Sequence, residues 1–90
     1  MTKRYPFNLN KHAHDLEFRR NRAMNIQGSL SMDDKEYARY QKLIDDLADI
    51  LLYFHNGDGI IWLTGKEWAL AKESVMWAEE TRGALNAGRR

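Results

Sequence analysis

No cysteine occurs among the 90 residues, which excludes disulfides, thiolate metal sites and cysteine nucleophiles. Proline appears once, as Pro6, and glycine six times. So few breaks favour long helices over a many-turned β sandwich. No apolar run approaches the roughly 18 residues of a membrane span, and the basic beginning of the chain lacks an apolar signal-peptide core. We therefore expect a soluble, cytoplasmic protein with no membrane partner. An excess of one charge is also missing: 14 Lys and Arg against 13 Asp and Glu leave a net charge of +1. A balance this even argues against non-specific coating of DNA. Ninety residues allow one domain, 1–90, and are too few for a two-domain enzyme.

What is present is segregated. Up to residue 30 there are six basic residues against two acidic ones, and over 31–64 three against seven. Opposite signs on successive elements suit pairing within the chain or between copies as readily as a partner.

The spacing predicts a helix over about 32–54. Ser31 is a good cap, and Asp33, Asp34 and Glu36 place negative charge at the positive end of the dipole. Tyr37, Tyr40, Ile44, Leu47, Leu51 and Phe54 recur at threes and fours, one apolar stripe. Leu43 and Ile50 belong to a second stripe that widens it. His55 to Gly59 ends the helix, with Asn56 or Gly57 suited to a left-handed cap. Ile60 to Leu63 is an apolar link too brief to separate a strand from a packed connector. A second long helix, 65–86, starts at a capping box of Thr64 and Glu67, with Leu63 and Trp68 as a hydrophobic staple. Ala71, Ala78 and Ala84 permit close approach of a neighbour. The two helices are expected to form an antiparallel hairpin. Asn8 or Asn10 caps a shorter helix to about Met24, and residues 1–7 form a flexible arm carrying Tyr5 and Phe7. The expected fold is therefore all-α, a hairpin plus a shorter N-terminal helix.

Few groups carry chemistry. His12 and Asp15 share a helix face, but a metal site needs further ligands that nothing nearby supplies. Asp45, Asp46 and Asp49 read as a solvated face partly offset by Lys42, or as a partner of the Arg-rich first helix. Gly65-Lys66 lacks the spacing and the following Ser or Thr of a phosphate-binding loop. We expect no catalytic residues, no metal and no cofactor. The candidate binding surface is Arg19, Arg20 and Arg22 with Tyr5, because guanidinium groups recognise phosphate and a ring can stack on a base.

Lys72-Glu73-Ser74-Val75-Met76-Trp77-Ala78, followed by Arg82, resembles the closing helix of phage anti-CBASS cyclic-nucleotide sponges of the helical-hairpin type. In that family the Arg follows Met-Trp-Ala more closely, whereas here Glu79 and Glu80 intervene, and Tyr5 and Lys11 do not clearly match its N-terminal Tyr-to-Lys pattern. The resemblance implies a homo-oligomer in a bacterial host, cyclic di- or trinucleotides bound between subunits, and no catalysis. It also adds Lys72 to the ligand-binding candidates.

These readings converge on a small non-enzymatic protein that binds a host protein or a cyclic oligonucleotide stoichiometrically, as a phage-type inhibitor of host defence does. The competing reading is a small DNA-binding regulator using the basic N-terminal third, although the acidic start of the next helix would repel phosphate. Self-association is expected through Leu43, Leu47, Ile50, Leu51 and Phe54, with Trp77 contributing, because the 32–54 helix carries more apolar surface than one neighbour covers.

Overall fold

In the computed structural model, which describes residues 3–53 and 59–87, the order is β1 (Arg4–Asn8), α1 (Leu9–Gly28), α2 (Lys35–Leu51), β2 (Ile60–Thr64) and α3 (Gly65–Ala87). The chain is mostly helical but not purely all-α. Residues expected as an arm form β1, and the apolar link forms β2. They pair antiparallel, with Tyr5 opposite Leu63 and Phe7 opposite Ile61. The reason is an alternation of period two in both segments. Phe7, Ile61 and Leu63 are buried on one face, while Arg4, Pro6 and Trp62 are exposed on the other. Pro6, which has no N–H to donate, sits in a sheet of two strands among the described residues, so it lies on an edge and is tolerated.

Asn8 ends the strand and caps α1: its Oδ1 accepts from Lys11 N–H at 3.0 Å. The helix runs 20 residues to Gly28, past the expected stop near Met24. α2 begins later and ends earlier than expected. Asp34, not Ser31, is the cap, with its carboxylate accepting from Glu36 N–H at 2.9 Å. Ser31 instead opens a turn whose carbonyl accepts from Asp34 N–H. At the other end Leu52 N–H donates to both Ala48 O and Asp49 O, closing a tightened last turn. Phe54 and the turn expected over His55–Asp58 lie outside the described residues.

The capping box at the start of α3 forms as its residues require. Thr64 N–H donates to Glu67 Oε1 at 3.0 Å, and Glu67 N–H donates to Thr64 Oγ1 at 3.3 Å. Replacing Thr64 with Ala is expected to lower stability by about 1 kcal/mol, and Thr64→Ser only slightly. Identical chemical denaturation midpoints for Thr64→Ala and the parent would contradict the cap.

The arrangement differs from a hairpin of the two C-terminal helices. α1 is the central element, packed along α2 and α3, which touch each other far less. The molecule is only 18 Å thick against 39 and 38 Å in the other directions. Leu16 of α1, Leu47 and Ile50 of α2 and Leu63 of β2 are fully buried together, joined by Phe7, Leu9, Ile61 and Ala71. On α3, Ala71, Ser74 and Ala78 are fully buried at helical spacing, whereas Ala84 is exposed. The Ser74 hydroxyl donates to Leu70 O at 2.7 Å and is thereby satisfied inside the core.

Candidate ligand groove

The sheet places Tyr5 over the first turns of α3. Its ring stacks on Trp68 with centroids 5.1 Å apart and planes 30° apart. Lys72, one turn further along α3, brings Nζ to 4.8 Å from the Trp68 centroid, and Lys3 Nζ lies 5.5 Å from Tyr5. The result is a ladder of cation, ring, ring and cation. Each such contact adds about 0.5–1 kcal/mol at an exposed site. Tyr5 and Lys72, singled out separately from the sequence, are thus brought together by Trp68.

Beside this ladder runs an open groove of about 330 Å³ between β1, α1 and α3. Phe7, His12, Trp68, Lys72, Val75 and Met76 line it. Phe7 and His12 rings lie 5.3 Å apart. His12 Nδ1 is 3.5 Å from Asp15 Oδ2, which fixes the imidazole from behind, and Arg82 donates to the other Asp15 oxygen. Among the described residues, no third ligating side chain joins His12 and Asp15 in a cluster. The groove therefore offers aromatic edges, an imidazole, an ammonium and a flexible thioether. Such a set holds a planar group and an anionic group.

The three arginines of α1 do not form one patch, because neighbouring positions on a helix diverge by about 100°. Arg19 points to α3, donating to Ser74 Oγ at 3.0 Å and Glu73 Oε1 at 3.1 Å, with its side chain only 15% exposed. Its guanidinium also lies 5.7 Å from the Trp77 ring, which Phe18 covers from another side. Arg22, exposed and three residues further on, shares with Arg19 a small hollow lined also by Tyr40, Leu43 and Trp77. Arg20 faces a different cleft, towards α2. Pairing of α1 with the acids of α2 does not occur through these groups. Asp45 instead accepts from Gln41, and Asp46 pairs with Lys42 at 3.1 Å.

Of the residues expected at a subunit seam, Leu47 and Ile50 are fully buried in the chain's own core and present no surface to a second copy. Leu43, Leu51 and Trp77 are half-buried, and Phe54 is outside the described residues. Sequence reasoning did not find Phe7, Val75 and Met76 as groove residues; it weighed His12 as a metal ligand against a solvated helix start, and Trp68 only as a staple. The period-two alternation of residues 4–8 was the available signal, since it brings β1 against α3.

A polar link joins α2 to the start of α3. Tyr53 Oη donates to Glu67 Oε2 at 2.6 Å. Burial pushes the Glu67 carboxyl up, but hydrogen bonds from Tyr53 and Thr64, with Arg4 nearby, outweigh it and hold the group below its ordinary value. The same bond to Glu67, with burial adding, raises the Tyr53 phenol. The depressed carboxyl contributes stability at neutral pH that is lost as pH falls through its folded value. The raised phenol contributes stability that is lost as pH rises through its folded value. Tyr53→Phe is expected to remove one late-titrating phenol from the absorbance titration and to bring the acid limb of unfolding to higher pH. A variant that keeps the late phenol would assign it to another tyrosine.

No protein-family model, curated protein or solved structure matches this chain.

Proposed function

We propose that the protein is a non-enzymatic binding protein that holds a planar, anionic ligand of the nucleotide class in the groove between β1 and α3. The observation that carries this reading is the convergence of Phe7, His12, Trp68 and Lys72 on one open site. A cation beside aromatic rings recognises a phosphate and a base together. The segment resembling the cyclic-nucleotide sponges supplies Lys72, Val75 and Met76 to the same groove. That coincidence supports a cyclic di- or trinucleotide as the ligand and sequestration of a host defence signal as the action. The DNA-binding reading loses support, because the basic residues of α1 are dispersed and Arg19 is already paired.

A homo-oligomer fits the same reading. Trp62 is 57% exposed opposite the exposed Pro6, and Met76, which lines the groove with Pro6, is 59% exposed. This apolar rim suits a second copy closing over the ligand.

A thermal-melt panel of cyclic dinucleotides, cyclic trinucleotides, linear mononucleotides and neutral nucleosides tests the proposal. At a hundredfold excess over Kd a bound ligand stabilises by about 2.7 kcal/mol, which raises Tm by roughly 10–20 °C in a chain of this size. Lys72→Met is expected to weaken binding about tenfold, the loss of one charged contact of about 1.4 kcal/mol. No shift with any nucleotide would overturn the proposal.

A further inference from the structure

A second cleft, sharing no residue with the groove, lies between α1 and the C-terminal end of α2. It encloses about 390 Å³, within the range of small-molecule sites of about 300–1,000 Å³. Leu9, Ala13, Ala48 and Leu51 make its walls aliphatic, and Arg20 is its cation. Arg20 Nε is buried and meets no acceptor. Its neighbours on α1 are engaged: Arg19 with Glu73, Asp15 with Arg82. At the same cleft Leu52 is 81% exposed, a large aliphatic side chain left in water.

We propose that this cleft binds a medium-chain aliphatic monocarboxylate, with the carboxylate on Arg20 and the alkyl chain along Leu51 and Leu52. Guanidinium and carboxylate match in geometry, and Arg20, half-buried at the cleft, forms no salt bridge among the described residues, although its Nε is too deeply enclosed for a ligand to reach. Among the described residues that line it, the cleft has no aromatic wall and no second cation, so they offer neither a stacking surface for a base nor charge for a polyphosphate. Each methylene moved from water onto the aliphatic walls adds up to about 0.8 kcal/mol. Glu17 lines the cleft as well, and its carboxylate is turned to His14, with Oε2 3.7 Å from Nδ1. A negative charge there disfavours a ligand with a second carboxylate, which selects a monoacid over a diacid.

Decanoate, decanedioate and decyltrimethylammonium, each kept below its micelle concentration, separate the contributions of tail and charge. Methyl NMR of the intact chain is expected to show decanoate shifting Leu9, Ala13, Leu51 and Leu52, with decanedioate and the cationic amphiphile binding more weakly. Arg20→Gln, whose fold the amide spectrum reports, is expected to weaken decanoate about tenfold, and Arg20→Lys less. Glu17→Gln is expected to abolish the preference for monoacid over diacid, and it keeps the test open if Arg20→Gln fails to fold. The proposal is overturned if decanoate leaves these methyls unmoved or if the cationic amphiphile binds as tightly. Unchanged binding in Arg20→Gln, or an unchanged diacid preference in Glu17→Gln, counts against it equally.

Discussion

Replacing Leu16 with Ala is expected to lower the unfolding free energy by about 3–5 kcal/mol, the range for a fully buried leucine whose surroundings relax only partly. Leu16 has no exposed surface and lies in α1, the helix that packs against both others, among Leu47, Ile50 and Leu63. A truncation there leaves a void that no single neighbour fills without leaving another. A chain of this length has on the order of 5–13 kcal/mol in total. The substitution therefore consumes about a quarter or more of the stability, and Tm is expected to fall by well over 10 °C. Leu16→Met, which conserves volume, should cost under about 1.5 kcal/mol. Equal melting of the Ala variant and the parent would mean that α1 is not the centre of the fold.

Gly59→Ala is the second large effect, and its origin is backbone rather than packing. Gly59 has φ of +74°, the region that L side chains rarely adopt, and it is buried. A Cβ built there falls 2.5 Å from Asn10 Cγ and 2.6 Å from Asn10 Cβ, close enough to the α1 backbone that a rotamer change does not relieve it. The Gly59 carbonyl also accepts from Leu9 N–H at 2.8 Å, tying the entry of β2 to the first residue of α1. The left-handed conformation costs about 1–2 kcal/mol for a residue with a Cβ, and the overlap adds a similar amount. We expect a loss of about 3 kcal/mol, with Gly59→Ala refolding to a weaker sheet. Asn10→Gly in the same chain should recover the part due to the clash and leave the part due to φ. A double variant no better than Gly59→Ala would place the whole effect in the backbone.

The helices were legible in the sequence because their signals are local. Thr64 and Glu67 cap α3 with each other, and the stripe through Leu47 marks the buried face of α2. The sheet was not, because five-residue strands give two or three alternations, too few to outweigh a bland arm or link. Only their pairing, Tyr5 with Leu63 and Phe7 with Ile61, makes them strands, and that contact spans most of the chain. The relation among the helices was misread for a related reason. Apolar width on α2 suggests surface for a second copy, whereas α1 and β2 bury Leu47 and Ile50 within one chain. On the ligand side, residue type points to Tyr5 and the resemblance of the last helix to Lys72. What joins them is Trp68, whose place in the staple hid its exposed partners. The arginines of α1 are close in sequence, yet the helix turns Arg20 to a different cleft from the hollow that Arg19 and Arg22 share.

The three tryptophans occupy three distinct environments: Trp68 in the groove, Trp77 under Arg19, and Trp62 on the outer face of the sheet. Their indole N–H resonances therefore report the bound surface directly. Titration with the nucleotide that gives the largest thermal shift is predicted to move the Trp68 resonance first and furthest, with Trp77 unmoved. In Lys72→Met the same displacement should require about tenfold more ligand. A titration that moves Trp77 and leaves Trp68 in place would contradict the groove as the binding site.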